Sequence, residues 1–190
     1  MPAPSADLDF AEVSADCTRW EGRISHMYLD TVAKVTVGVG QMLPDVAAAQ
    51  KLAFVRRDSR ALATPAEIKR DFDAVAAQPK GLLAASYKKA TLLDLPDPAI
   101  DAILKVMVDG FTAGLGKRFA GWAGYPSPAK RALLDMSFNL GLDGLVNKFP
   151  SLKKAVETGK WDVAAKECQR NGIGQQRNDW TRDLFLQCKG

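Results

Sequence analysis

Apolar residues recur every three to four positions over most of the chain, the period of one face of an α-helix. Phe10, Val13 and Cys17 mark a first amphipathic segment, which Gly22 closes directly after Glu21. Glycine suits such a stop because it enters the left-handed conformation without strain. A long segment begins at Asp97-Pro98 and runs through Ile100, Ile103, Leu104, Met107, Val108 and Phe111 to near Phe119. Ser127-Pro128 opens another, through Ala132, Leu133, Met136 and Leu140, with its stop at Gly141. Proline fits the first helical turn, where its missing N–H costs nothing. Thr64-Pro65-Ala66-Glu67 has the form of a capping box, threonine hydroxyl and glutamate carboxylate each taking an early backbone N–H. Shorter helices are predicted from Ser151 to Thr158, from Trp161 to Arg170 and from Asn178 to Gln187.

One stretch has a different period. Val35-Thr36-Val37-Gly38-Val39-Gly40 alternates strictly, as a strand does. The three valines then share one face, and Thr36, Gly38 and Gly40 share the other. Met27-Tyr28-Leu29 precedes it across the turn-like Asp30 to Lys34, so a small hairpin is predicted, with Gly38 and Gly40 leaving room for a bulky ligand at the backbone. Pro44, Pro79, Gly81 and Pro96 cut residues 44–96 into helical pieces without fixing their limits. The predicted class is α+β, mainly α, in a single domain over residues 1–190. About 10–45 form an N-terminal lobe, 46–96 insert or linker helices, and 97–190 a helical C-terminal lobe.

With 190 residues, 47% of them apolar and 25% charged, the chain can bury a core without metal or disulfide staples. A net charge of +4 excludes wholesale disorder and is too small for a dedicated nucleic-acid binder, so no nucleic-acid partner is expected. Basic pairs such as Arg56-Arg57, Lys88-Lys89 and Lys153-Lys154 are scattered and read as solvated faces. No uncharged apolar run approaches the roughly 18 residues of a membrane span, so no membrane insertion is expected. Asp7, Asp9, Glu12 and Asp16 precede the first basic residue, Arg19, the reverse of a secretion signal. Three cysteines and one histidine lack metal-ligand spacing, so no metal and no other cofactor is expected. Cys168 and Cys188 read either as one bridge or as two buried small apolar groups.

The candidate chemistry lies between residues 20 and 40. Glu21 falls at a helix C-terminus beside Trp20, and both the helix dipole and partial burial disfavour its ionised form, as a general acid requires. Asp30 follows nine residues later at the hairpin edge, and Thr36 six beyond, folded back beside Asp30. Two carboxylates in different environments facing one groove suit cleavage of a glycosidic bond. Among 22 acidic residues such a pair also arises by chance, and Glu21 alone reads as well as a surface carboxylate. His26 reads as a hairpin-edge residue, and Trp122, Trp161 and Trp180 as core.

The order Glu21-Gly22, Tyr28-Leu29-Asp30-Thr31, then Val35 to Gly40 resembles the catalytic signature of the phage-type lysozymes, the endolysin family of tailed phages and its bacterial relatives. Ala132 to Gly141 and Gly172 to Phe185 resemble two further blocks of that family in the same order. The resemblance implies a lysozyme-like two-lobed fold, with the hairpin in the N-terminal lobe and the substrate between the lobes. It implies a peptidoglycan hydrolase, an N-acetylmuramidase cutting between N-acetylmuramic acid and N-acetylglucosamine. By the same carry-over Glu21 protonates the leaving oxygen, Asp30 stabilises positive charge at the sugar and Thr36 orients water. Asn139 matches a position that contacts the glycan, although it reads equally as a helix cap before Gly141. Arg177 matches an arginine that pairs with the catalytic glutamate. Gln41 departs from the family, which places histidine there. The implied setting is a phage endolysin or an antibacterial toxin, a monomer made in the cytoplasm and acting on the periplasmic wall, with an immunity protein as partner if a toxin. A non-catalytic peptidoglycan-binding or structural module on the same fold is the alternative.

Overall fold

A computed structural model describes residues 8–188. It is a mainly helical α+β chain, with small antiparallel sheets in the N-terminal half and helices throughout the C-terminal half. Residues Cys17–Val106 form one compact unit, and the chain before and after them forms the other. The boundaries fall inside two helices, α1 (Phe10–Glu21) and α4 (Asp97–Arg118).

The first unit carries the strands. β1 (Ile24–Leu29) pairs antiparallel with β2 (Val35–Gly38), and β2 pairs with a third short strand, β3 (Gln41–Met42). The predicted hairpin is thus a three-stranded sheet, and the alternation does not continue as strand to Gly40. Gly38 and Gly40 both adopt positive φ, +68° and +76°, and build the turn into β3. Gly38 does not leave room for a ligand: a Cβ there would lie 3.3 Å from Ile100 Cγ2, so the missing side chain admits α4 instead. Beyond Gly40 the space is open.

Residues 46–96 contain a short α2 (Val46–Gln50), α3 (Pro65–Ala76), a 3₁₀ helix at Ala84–Ala90, and a second sheet absent from the sequence reading, β4 (Val55–Arg56) with β5 (Leu93–Asp94). The capping box forms as expected. Thr64 Oγ1 accepts from Glu67 N, and Glu67 Oε2 accepts from Thr64 N at 2.8 Å. Glu67 also takes both forks of Arg56, at 2.7 and 2.9 Å. These bonds hold its carboxyl down at about 2, the Arg56 hydrogen bond contributing most. Met27, Val37, Phe54, Ile68, Val75, Tyr87, Leu93 and Leu95 are all buried.

His26 is buried in this core rather than sitting at a hairpin edge. Its Nε2 lies 2.9 Å from Ala84 O and joins β1 to the 3₁₀ helix. Burial pushes its pKa below the ordinary histidine value, and the positive charges of Arg57 and Lys88 add to the shift.

The second unit is helical. α5 (Ser127–Lys148) is broken at Gly141, whose φ of +70° and ψ of 162° interrupt the helix at the predicted stop. α6 (Pro150–Glu157), α7 (Trp161–Glu167) and α8 (Gln175–Leu186) follow. α7 stops short of Arg170, which is needed elsewhere. Its guanidinium, fully buried, meets Asp135 Oδ2 at 2.6 Å and Thr181 Oγ1 at 2.7 Å. The tryptophans read as core are only half-buried, with Trp122 and Trp161 each set edge-on to Tyr125. Cys168 and Cys188 are free buried thiols, which settles the open reading against a bridge, and burial pushes each up to about 11.

Asp71, 1% exposed, accepts from the backbone N–H of Leu92 and Leu93 at 2.8 and 2.9 Å and pairs with Arg70. Asp71→Ala strands two N–H groups, one of them fully buried, and urea denaturation should read a loss of about 3 kcal/mol. A second expectation concerns pH. The folded His26 binds its proton less tightly than the unfolded chain, whose histidine titrates near about 6.5. Stability is therefore complete above that value and falls as pH drops towards the lower folded pKa. Thermal melts between pH 7.5 and 5 should show this decline, and His26→Gln, which keeps a donor for Ala84, should flatten it.

Candidate active site

Glu21 is the last residue of α1. Gly22 follows with φ +79° and returns its N–H to Thr18 O at 3.1 Å, the single-bond left-handed stop anticipated from sequence. Arg23 then ties the exit to the first turn of α4. Its Nε donates to Asp97 Oδ1 and its Nη1 to Asp101 Oδ1, both at 2.9 Å. The position of Glu21 is thus set by a helix end and a two-carboxylate anchor. The expected partial burial does not hold: Glu21 is exposed.

Asp30 directly follows β1 and organises the turn it begins. Its Oδ1 accepts from Val32 N at 2.9 Å and from Lys34 N at 2.8 Å. Its backbone N–H donates to Lys34 O at 2.9 Å, and Ala33 takes φ +61° to close the loop. Among the described residues Oδ2 accepts no hydrogen bond, so one carboxylate oxygen builds the fold and the other is left for solvent or ligand.

Thr36, 2% exposed, sits on β2 with its hydroxyl donating to Lys34 O at 3.1 Å. With the proton so engaged, the oxygen lone pairs are what Thr36 can offer. Its direct cross-strand partners are Tyr28 on β1 and Met42 on β3. Paired residues in an antiparallel ladder project to the same face. Asp30 lies two residues beyond Tyr28, so it belongs to that face as well.

Tyr28, the first residue of the Tyr28-Leu29-Asp30-Thr31 block, is the cross-strand neighbour of Thr36. Its half-buried phenol is raised above the ordinary tyrosine value, first by burial, then by the negative charges of Asp30 and Glu21. Thr36 pairs with Tyr28 across the two strands, Asp30 directly follows β1, and Glu21 ends the helix that precedes it.

Asn139 and Arg177 belong to the other compact unit. Asn139 is exposed, two residues before the break at Gly141. Arg177 is buried and holds Asp135, with Nε at 2.8 Å from Oδ1. A pocket of about 360 Å³ in the strand-bearing unit is lined by Arg56, Arg57, Asp58, Glu67, Arg70, Leu92 and Leu93, and includes none of the three candidate residues. Its arginines are held by Glu67, Asp94 and Asp71, an arrangement that builds structure rather than chemistry. Among the described residues no group of three His, Cys, Asp or Glu is placed to hold a metal ion, and no helix is long and apolar enough to cross a membrane.

No protein-family model matches the chain, and comparison with curated proteins finds no significant relative.

The two duties of Asp30 can be separated. Asp30→Asn keeps an Oδ1 acceptor for Val32 and Lys34, so its melting temperature should stay near wild type. Asp30→Ala removes both bonds and should cost about 1–2 kcal/mol in chemical denaturation.

Proposed function

We propose that the protein is a peptidoglycan hydrolase, an N-acetylmuramidase that cuts between N-acetylmuramic acid and N-acetylglucosamine. The observation that supports this reading is the buried Thr36 paired with Tyr28 on the strand that leads into the Asp30 turn, with Glu21 at the helix end just before that strand. Glu21 is the proton donor to the departing glycosidic oxygen as the bond to the sugar breaks. Asp30 presents Oδ2 to the positive charge that grows at the anomeric carbon. Thr36, whose own proton is engaged by Lys34 O, accepts a hydrogen bond from the incoming water and orients it, and the proton this water sheds on attack passes to solvent, from which Glu21 regains the one it gave. The mainly helical α+β chain is taken in this reading as a two-lobed, lysozyme-like fold. Its biological setting is cell-wall lysis, as an antibacterial toxin with a cognate immunity protein or as a phage endolysin.

A second reading has its own support. Asp30 and Thr36 both have local structural duties, and Glu21 is exposed. A non-catalytic peptidoglycan-binding module built on the same sheet would also need the first two.

Purified sacculi separate the readings. The wild-type protein should release reducing ends, and Glu21→Gln should lower the rate about 10²- to 10⁴-fold with binding retained. Asp30→Asn, which spares the turn, should be similarly damaging. Sacculus binding without release of reducing ends by the wild type establishes the binding module instead.

A further inference from the structure

Residues 46–96 hold nine Lys and Arg against five Asp and Glu, an excess equal to the net charge of the whole chain. The acidic residues there are mostly consumed in pairs: Glu67 with Arg56, Asp94 with Arg57, Asp73 with Lys69 and Asp71 with Arg70. The excess is therefore left on exposed cations. Three of them, Lys80, Lys88 and Lys89, fall within ten residues and hold no ion pair among the described residues.

The 3₁₀ helix at Ala84–Ala90 orders this segment. With three residues per turn, Ala84, Tyr87 and Ala90 share the inward stripe. Tyr87 is fully buried, and its hydroxyl donates to Pro79 O at 2.9 Å, clamping the preceding loop back onto the helix. Ala84 O meets His26 on the same side. Lys88 and Lys89 consequently point outward from a rigid base. The same segment carries three aliphatic side chains that the fold leaves in water: Leu82, 40% exposed, Leu83, 81%, and Leu92, 59%.

We propose that the segment from Lys80 to Leu92 is a docking surface for an anionic lipid bilayer, on which the protein lies rather than which it crosses. Exposed leucines interleaved with lysines are the composition of surfaces that seat aliphatic groups at the acyl boundary while cations meet phosphate headgroups. A protein interface favours other residues: lysine is depleted there, and leucine is under-represented among its anchors. A single-stranded nucleic-acid platform would display aromatic rings, and the one aromatic residue of the segment, Tyr87, faces the core. The surface serves adsorption and is independent of the hydrolase reading.

The test is co-sedimentation of the full chain with vesicles of phosphatidylcholine alone and of phosphatidylcholine mixed with phosphatidylglycerol. Binding to the mixed vesicles only is expected, falling as salt is raised. Lys88→Ala with Lys89→Ala should weaken it about tenfold or more, and Leu83→Ser with Leu92→Ser should weaken it further at unchanged charge. All four sites are exposed, so unaltered melting curves check that the variants are folded. No binding to the mixed vesicles, or equal binding to the neutral ones, overturns the proposal. So does lysine-dependent binding that ignores the leucines and is matched on heparin, which would make the segment a general polyanion surface. Glu21→Gln should bind vesicles as the wild type does, so failure here and failure of the hydrolase reading are told apart.

Discussion

The strand-bearing unit depends on satisfying the backbone of five residues, Thr91 to Leu95. β5 is only two residues long, so its ladder cannot take up the polar groups around it. Side chains and a neighbouring strand do so from three directions. Asp71 on α3 accepts from Leu92 and Leu93 N–H. Arg57, just past β4, donates to Thr91 O and Leu93 O and pairs with Asp94. Ser25 on β1 donates to Asp94 through its hydroxyl and accepts from Leu95 N–H through its carbonyl, at 2.7 Å. One short segment thereby locks α3, β4 and β1 together. An unmet buried N–H costs more than a made hydrogen bond returns, so losing any tie penalises all three elements.

That lock bears on the candidate site because β1 is common to both. Ser25 is held at one end of the strand, and Tyr28 and Asp30 lie at the other. Along β1 the distance from Ser25 to Tyr28 is about 10 Å at the usual rise per residue. The Asp30 turn adds a local constraint, since one aspartate oxygen closes the loop from Asp30 to Lys34. A carboxylate fixed this way has little freedom to reorient, which places its second oxygen before any ligand arrives. Preorganised charge is more effective than charge that must move at the moment of reaction. Glu21 is fixed differently, by its helix end and by the Arg23 anchor behind it.

The helices were legible because punctuation and period agree. Proline at 65, 98 and 128 and glycine at 22 and 141 mark ends that the structure reproduces. The β1–β2 hairpin was legible from its alternation. The second sheet was not, for a physical reason: two-residue strands carry no period, and Arg57, Asp71 and Asp94 look like ordinary surface charges until the long-range bonds are seen. α7 ends at Glu167, short of the expected Arg170, whose guanidinium is buried against Asp135. A glycine on a strand face reads as open space in the sequence, and only the long-range packing of Ile100 fills it at Gly38. The candidate residues Glu21, Asp30 and Thr36 stand out in the sequence only through the order of the motifs around them, since a Glu and an Asp nine apart also arise by chance.

The charge of the chain shows the same limit and its remedy. A net +4 averaged over 190 residues looks like nothing in particular, and scattered basic pairs read as solvated faces. Structure changes the accounting by separating cations that already hold a carboxylate from those that do not. Arg56 and Arg57, adjacent in sequence to each other, are both paired, while Lys88 and Lys89 hold no ion pair among the described residues. Paired arginines contribute little field beyond their immediate surroundings, because each is cancelled within about 3 Å by its partner. Unpaired lysines on one segment add, and their field extends over about a Debye length of 8 to 10 Å at physiological salt. The long-range electrostatics of this unit are therefore set by those basic residues that hold no carboxylate, which sequence alone does not single out.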